Sequence, residues 1–254
     1  MYNRIVSLAP SNTEIIFALN AQDKLVACTR YCDFPEGAKS KPRIGGWLDI
    51  NDELVKSHNP DLILTSTFVQ DKITERYKKN NMNIVPLMPR TLDGVFKSIV
   101  KIGELVEKQK EAEELVNSMK SEINKIENKS KSIKSRPRVY IEEWHKPPTV
   151  SGNWVPDLVK AAGGDYNLIK SGEYSKEVAT EQTQNYDPEI IVVSICGMCD
   201  RVPKEWITKR DGWQNLSAVK NSKVFVFDDS LLNRPGPRLV NGLRKLSEVI
   251  LNKN

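Results

Sequence analysis

Short runs of β-branched and other apolar residues, separated by longer segments with helical periodicity, constrain the fold of this chain most strongly. The runs predict strands at residues 4–8, 25–28, 62–66 and 83–87, and again at residues 137–143, 189–195 and 223–227. They are almost continuously apolar, as is typical of parallel strands that helices cover on both faces. We therefore predict an α/β protein.

The segment at residues 91–135 differs from both halves because it is rich in Lys and Glu. Four apolar residues within it recur at helical spacing and form one apolar stripe, namely Leu115, Met119, Ile123 and Ile126. This pattern predicts a helical spine at 91–135 between an N-terminal α/β lobe at 1–90 and a C-terminal α/β lobe at 136–254. A chain of 254 residues is long enough for each lobe to bury its own core.

Two segments of the sequence resemble each other. This internal repeat, which we call the sequence echo, supports two lobes. Residues 59–64 resemble residues 187–192, because in each a proline and an acidic residue open an apolar strand. The offset between the two prolines is 188 − 60 = 128 residues, about half of the chain. A glutamate stands seven residues before each proline, at Glu53 and at Glu181.

Most signatures of enzymes are missing from the sequence. It contains no phosphate-binding loop, no dinucleotide-binding glycine turn and no G-x-S-x-G nucleophile elbow. The two histidines, His58 and His145, are too far apart for a zinc-protease helix. The net charge of +5 is too diffuse for a nucleic-acid footprint, and no apolar run is long enough to cross a bilayer. We expect a protein that is not an enzyme, needs no cofactor and binds no nucleic acid.

The four cysteines offer an alternative of another class. Cys196 and Cys199 form a C-x-x-C pair after an apolar strand, and Cys28 and Cys32 also follow one. Four converging thiolates would suit zinc, and a C-x-x-C pair would suit redox chemistry. The plainer interpretation is that these are small apolar residues at strand ends.

Aromatic residues gather just after the predicted strands, where ligands bind in α/β sheets. Tyr31, Trp47, Trp144 and Trp154 all occupy such positions. A single tryptophan there is most often a core residue, but several in both halves favour a binding surface. Flat aromatic walls suit a large, flat and partly apolar ligand.

The first residues contain no secretory signal, because a basic start, a long apolar stretch and a small-residue cleavage site are missing. The chain as written is expected in the cytoplasm. If a signal or an anchor has been trimmed, we expect it outside the cytoplasm and associated with the membrane.

Several motifs together resemble one known family. They occur in the family's order along essentially the whole chain, as RIVSLAPSNTE at residues 4–14, YCDFP at 31–35, IGGW at 44–47, NPDLI at 59–63, VSG at 150–152 and RPGPR at 234–238. The sequence resembles the solute-binding proteins of iron-chelate and cobalamin ABC importers, and among these the cobalamin-binding branch most.

The resemblance implies two Rossmann-like α/β lobes joined by a long backbone helix, with the ligand cleft between the lobes. It implies non-enzymatic binding of a corrinoid such as cobalamin, or of a related metal chelate, by a monomer. The ligand would be delivered to the permease dimer of an ABC importer. In this family one surface acid on each lobe docks onto the permease, and by local alignment these acids match Glu53 and Glu181.

The remaining predicted ligand contacts are Arg234, Arg238 and His145. The two arginines would donate hydrogen bonds to amide or carboxylate groups of the ligand. His145 follows a predicted strand, where a neutral imidazole could occupy an open axial position of a bound metal. Alternatively, His145 hydrogen-bonds within its own loop.

Overall fold

A computed structural model describes residues 1–131 and 133–251. The chain divides into two compact units. Unit 1 comprises residues 1–89 and 93–119, and unit 2 comprises residues 90–92 and 120–254. No helix in the described part of the chain is both long enough and apolar enough to span a membrane.

Unit 1 is built on a parallel sheet of four strands in the order β2-β1-β3-β4. The strands are β1 (Ile5–Ser7), β2 (Leu25–Cys28), β3 (Leu62–Ser66) and β4 (Ile84–Leu87). The helices that follow them are α1 (Pro10–Ala18), α2 (Asp52–Ser57), α3 (Asp71–Lys79) and α4 (Leu92–Val106). Strands β1 and β3 are buried along their whole length, because they occupy the middle of the sheet.

Unit 2 is built on a mixed sheet of five strands in the order β7-β6-β5-β8-β9. Its strands are β5 (Val139–Trp144), β6 (Thr149–Val150), β7 (Lys176–Glu177), β8 (Ile190–Val193) and β9 (Val224–Val226). Strands β5, β8 and β9 run parallel, and β6 and β7 add two antiparallel ladders at one edge.

The helices of unit 2 surround this sheet and supply much of its core. They are α6 (Val155–Ala162), α7 (Thr180–Tyr186), α8 (Glu205–Thr208), α9 (Ser217–Lys220) and α10 (Leu239–Leu251). Helix α10 buries one apolar face, which includes Leu239, Leu243 and Leu246 at 0% exposure. This face follows the helical spacing of its leucines.

All seven predicted strands are present. The α/β fold class is therefore confirmed, with a fully parallel sheet in unit 1 and a mixed sheet in unit 2. The two antiparallel strands β6 and β7 were not predicted. They are two residues each, which is too short to leave a periodic pattern.

The segment predicted as one helical spine contains two helices. Helix α4 ends at Val106, and a new helix, α5 (Gln109–Ser130), begins after a left-handed turn at Glu107. The predicted stripe of α5 is buried at Met119, Ile123 and Ile126, whereas Leu115 is partly exposed. The boundary between the two units falls inside α5, after Met119.

Candidate ligand-binding site

Six large apolar side chains of unit 1 are exposed in loops of its sheet. They follow strands β2, β3 and β4 or lie in the turn after Gly45, and we call them the apolar edge: Tyr31, Phe34, Leu48, Phe68, Val69 and Met88. Each is between 44% and 59% exposed. The carboxyl ends of parallel strands meet at one side of a sheet, which is where ligands bind in open α/β folds. Soluble proteins bury most side chains of this size, so the apolar edge is a candidate binding surface.

The turn that carries Trp47 is held next to the apolar edge. Gly45 has a φ of +115°, and a side chain there would collide with the backbone of Asp49. Arg30 forms an ion pair with Asp49, and its backbone N–H donates to the Gly45 carbonyl at 2.8 Å. Trp47 itself is partly exposed.

Gln70 ties this turn to two strands of unit 1. Its amide Nε2 donates to the carbonyl oxygens of Leu8 (2.9 Å) and Trp47 (3.0 Å), and its Oε1 accepts from the Ser66 N–H at 2.9 Å. The side chain of Gln70 is fully buried. It therefore fixes the backbone of Trp47 relative to β1 and β3. The sequence analysis did not single out Gln70, because glutamine carries no signal for such a role.

In unit 2, Trp144 stands at the end of β5 and is 52% exposed. Tyr174 is 43% exposed, and the Arg90 guanidinium carbon lies 3.5 Å from the centre of its ring. The Nε atom of Arg90 is buried and makes no hydrogen bond within the described residues. This group combines an aromatic surface with a cation, which differs from the purely apolar edge of unit 1.

The side chain of Glu143 adds a polar group at the same end of β5. Ser175 Oγ donates to its Oε2 at 2.6 Å. Burial raises the pKa of the Glu143 carboxyl above its usual value, although the hydrogen bond from Ser175 opposes this. A carboxyl group with a raised pKa is protonated more readily, and it can then donate as well as accept a hydrogen bond.

His145 is held by a buried ion pair. Glu142 is fully buried and accepts two bonds from Arg210, at 2.6 Å and 2.5 Å, and one from the Tyr140 hydroxyl at 3.1 Å. The Nδ1 atom of His145 lies 2.7 Å from Arg210 Nη2 and 3.3 Å from Glu142 Oε1. Its ring is stacked on Trp206, with the two centroids 4.4 Å apart.

This geometry limits the access of a ligand to His145. Its side chain is only 17% exposed, its ring is stacked on Trp206, and its Nδ1 already lies within hydrogen-bond distance of Glu142 and Arg210. The arrangement favours a His145 side chain that is hydrogen-bonded within unit 2.

The other predicted ligand contacts of unit 2 differ in how far they are buried. Trp154 is only 5% exposed, and its indole N–H donates to the Leu232 carbonyl at 2.8 Å, so its side chain belongs to the core of unit 2. Arg234 and Arg238 are partly exposed, and Arg238 Nη1 donates to Ser230 Oγ at 2.9 Å.

The predicted docking acids occupy matched positions. Glu53 is the second residue of α2, and Glu181 is the second residue of α7. Both are exposed. In α2, Asn51 caps the helix by accepting from the N–H of Glu53 at 3.1 Å. In α7, the side chain of Gln182 accepts from the Ala179 N–H at 3.0 Å.

The zinc site that four converging cysteines offered as an alternative is not favoured. Cys28 and Cys32 are buried in unit 1, and Cys196 and Cys199 lie in unit 2. Among residues 1–131 and 133–251, no group of three or more His, Cys, Asp or Glu side chains is arranged to hold a metal ion. The four thiols are free.

The pair in unit 1 has an unusual polar environment. Arg43 Nη1 lies 3.0 Å from Cys28 Sγ, and the hydroxyls of Thr13 and Thr29 lie 3.2 Å and 3.3 Å from Cys32 Sγ. Burial raises the pKa of Cys32, but hydrogen bonds from Cys28, Thr13 and Thr29 outweigh it and lower the value to about 7. The hydrogen bond with Cys32 raises the pKa of Cys28 well above its usual range.

The chain is made of two α/β units, each with exposed aromatic side chains in loops that follow its strands. The chain belongs to the periplasmic binding protein family, whose pattern matches residues 5–231. It is 33% identical to an uncharacterised ABC transporter substrate-binding lipoprotein, YvrC, of Bacillus subtilis, over 97% of this chain and 79% of that protein.

Two further relatives have named ligands. A vitamin B12-binding protein of Vibrio campbellii is 26% identical over 96% of this chain and 88% of its own length. The crystal structure of Staphylococcus aureus IsdE complexed with heme is similar with a TM-score of 0.86 and 27% identity, covering 97% of this chain and 98% of that one. The resemblance to the iron-chelate and cobalamin importers is therefore confirmed. Proteins of this class are non-enzymatic components of ABC import.

Proposed function

We propose that this chain binds a corrinoid, such as cobalamin, outside the cytoplasm and delivers it to the permease of an ABC importer. The observation that carries the proposal is the apolar edge of unit 1, which offers six exposed apolar side chains to a large ligand. The location follows the relatives, one of which is a lipoprotein and others of which are periplasmic.

The polar groups of unit 2 support a corrinoid, which carries neutral amides at its periphery. Glu143 can accept from an amide N–H. Arg234 and Arg238, which are partly exposed, can donate to an amide oxygen. Tyr174 and Trp144 provide apolar surface in the same unit. The proposal assigns ligand contacts to Tyr31, Trp47, Trp144, Arg234 and Arg238, and gives Trp154 and His145 supporting roles.

Native mass spectrometry with candidate ligands tests this assignment. Purified protein would be incubated separately with cyanocobalamin, with hemin and with a ferric hydroxamate siderophore. We expect a one-to-one complex with cyanocobalamin that survives at concentrations where the other two are not retained. Retention of hemin in preference to cyanocobalamin would replace the corrinoid by heme, as in the IsdE relative.

The docking assignment is a second part of the proposal. Exposed acids that meet basic residues of a permease mainly set orientation and association rate. Two equivalent acids suit a partner with two-fold symmetry. Glu53 and Glu181 fit this role, because both are exposed at the second position of a helix.

Charge reversal tests the docking acids. The double variant Glu53→Arg, Glu181→Arg is expected to lose association with the permease while keeping its affinity for the ligand. The matched control is Glu75→Arg, Glu248→Arg, which reverses one exposed acid in each unit away from α2 and α7. Equal association of the two double variants with the permease would refute the docking assignment.

A further inference from the structure

Helices α2 and α7, which carry Glu53 and Glu181, end in the same arrangement. In each, one arginine donates hydrogen bonds to carbonyl oxygens at the C-terminal end of the helix. In unit 1 this residue is Arg4, directly before β1. Its Nε donates to the carbonyl oxygens of His58 (3.1 Å) and Asn59 (3.0 Å), which follow the last turn of α2. Its backbone N–H donates to the carboxylate of Asp61 at 2.9 Å, and Asp61 N–H donates back to the Arg4 carbonyl at 3.0 Å.

In unit 2 the corresponding residue is Arg138, directly before β5. Its Nε donates to the carbonyl oxygen of Asp187 at 2.8 Å, at the end of α7. Its backbone N–H donates to the carboxylate of Glu189 at 3.0 Å, and Glu189 N–H donates back to the Arg138 carbonyl at 2.8 Å. Each of these three hydrogen bonds of Arg138 has a counterpart at Arg4.

The backbone at the two helix ends is also alike. Asn59 has a φ of +44° and Asp187 a φ of +43°, and each directly precedes the proline of the sequence echo. Residues with a β-carbon seldom adopt this conformation, so it needs support from its surroundings. A guanidinium at the C-terminal carbonyls provides that support and also complements the helix dipole.

The arrangement fixes the C-terminal end of each of these two short helices. Helix α2 has six residues and α7 has seven, so both are too short to be stable alone. The acid of each helix lies at its opposite end from the arginine, less than two turns away. A change in the angle of either helix would therefore move its glutamate.

We propose that Arg4 and Arg138 are positioning residues, which hold α2 and α7 within their units so that each helix presents its glutamate to the permease. This inference rests on the proposed docking role of the two glutamates. It adds that the interaction surface comprises two copies of one structural unit, each made of an arginine, a left-handed residue, a proline and an acid-bearing helix.

Lysine cannot replace these arginines in full. The planar guanidinium of Arg4 reaches two carbonyls at once, whereas an ammonium is a single point charge on a flexible stem. The variant Arg4→Lys, Arg138→Lys therefore keeps the positive charge of each side chain but removes its planar guanidinium group. Its matched control is Arg244→Lys, which alters an exposed arginine paired with Glu122 at 2.6 Å, outside both helices.

The test is a double-mutant cycle on association with the importer's permease dimer in lipid nanodiscs. The first pair of changes is Arg4→Lys, Arg138→Lys, and the second is Glu53→Gln, Glu181→Gln. Cyanocobalamin affinity is measured for each variant, and thermal unfolding confirms that each is folded at the temperature of the assay. Coupled residues commonly interact strongly enough to change association by about 3- to 30-fold.

We expect the lysine variant to associate about 3- to 30-fold more weakly than the wild type, with unchanged ligand affinity. In the glutamine background the same lysine changes should have no further effect, because there is no acid left to position. Helix amides of α2 and α7 should also exchange faster in the lysine variant than in Arg244→Lys.

Two results would overturn the inference alone. One is unchanged association of the lysine variant when the glutamine variant is weakened. The other is an equal loss from the lysine changes in both backgrounds, since this would show that the arginines act independently of the acids. If the glutamine variant associates as well as the wild type, the proposed docking role and this inference are both wrong.

Discussion

At the scale of single residues, Trp47 is the aromatic contact whose placement the structure explains most fully, since Gln70 holds its carbonyl. We expect Trp47→Ala to weaken cyanocobalamin binding by about 1–3 kcal/mol, as is usual for an aromatic anchor at an interface. Isothermal titration calorimetry measures this. The control is Leu54→Ala, which removes an exposed apolar side chain outside the apolar edge. Equal affinities of the two variants would contradict the assignment.

His145 is expected to leave the metal of the ligand untouched, because its side chain is only 17% exposed and its ring is stacked on Trp206. Aquocobalamin has a replaceable axial water, so a histidine ligand would shift its visible absorption bands. We expect bound aquocobalamin to give the same spectrum with wild type and with His145→Ala. A shift in the wild type that the variant abolishes would show that the imidazole ligates the metal.

Cys32 is expected to ionise near neutral pH, because hydrogen bonds to its sulfur lower its pKa from 9.0 to about 7. An acid whose pKa is lower in the folded state stabilises the fold fully above the unfolded value, and this contribution is lost as the pH falls from about 9 to 7. Thiolate ultraviolet absorbance should show a rise centred near pH 7 for wild type and for Cys199→Ser. This rise near pH 7 should be missing in Cys32→Ser, and its persistence there would refute the assignment.

At the scale of elements, Gln70 connects the Trp47 turn with β1 and β3 through three buried hydrogen bonds. The variant Gln70→Met has a similar volume but leaves these backbone groups without partners. We expect it to lower the free energy of unfolding by about 1–3 kcal/mol and to weaken ligand binding as well. Urea unfolding and calorimetry measure the two effects. Gln22→Met, at an exposed glutamine, should change neither.

The elements that the sequence predicted are those in which one periodic signal extends over several residues. The runs at β3 and β8 are mostly apolar because their strands are buried along their whole length inside a sheet. The break between α4 and α5 left no such signal. It occurs at Glu107, with a φ of +61°, where no glycine or proline marks the turn. The close approach of Gly103 to Ala112 across this break depends on tertiary packing.

In the candidate site, too, only residues that belong to a visible sequence pattern could be predicted. Tyr31, Trp47 and Trp144 were predicted because aromatic residues after strands are visible in the sequence. Phe68 and Met88 of the apolar edge were not predicted, and neither were Gln70 and Arg210. Gln70 bonds to Leu8 and Trp47, and Arg210 bonds to Glu142, across more than 20 positions in the chain, so no local pattern could reveal these contacts.

At the scale of the whole molecule, the sequence echo proves to be a structural repeat. Strands β1, β3 and β4 are neighbours in one sheet, and β5, β8 and β9 are neighbours in the same order in the other. Helix α2 precedes β3 as α7 precedes β8. The offset of 128 residues read from two prolines therefore relates two copies of one supersecondary unit. The surroundings of the repeats differ, because unit 2 adds β6 and β7.

A ligand that contacts both units should protect both from hydrogen exchange. At a ligand concentration of about 100 times Kd, binding stabilises the native state by about 2.7 kcal/mol, which slows exchange measurably. With cyanocobalamin we expect protection at residues 29–34, 45–50 and 67–70 of unit 1 and at residues 143–146 and 172–175 of unit 2. The exposed face of α5 serves as the internal control, since none of the proposed contacts lies on it. Protection confined to one unit would show that the other takes no part in binding, and the proposed contacts there would have to be withdrawn.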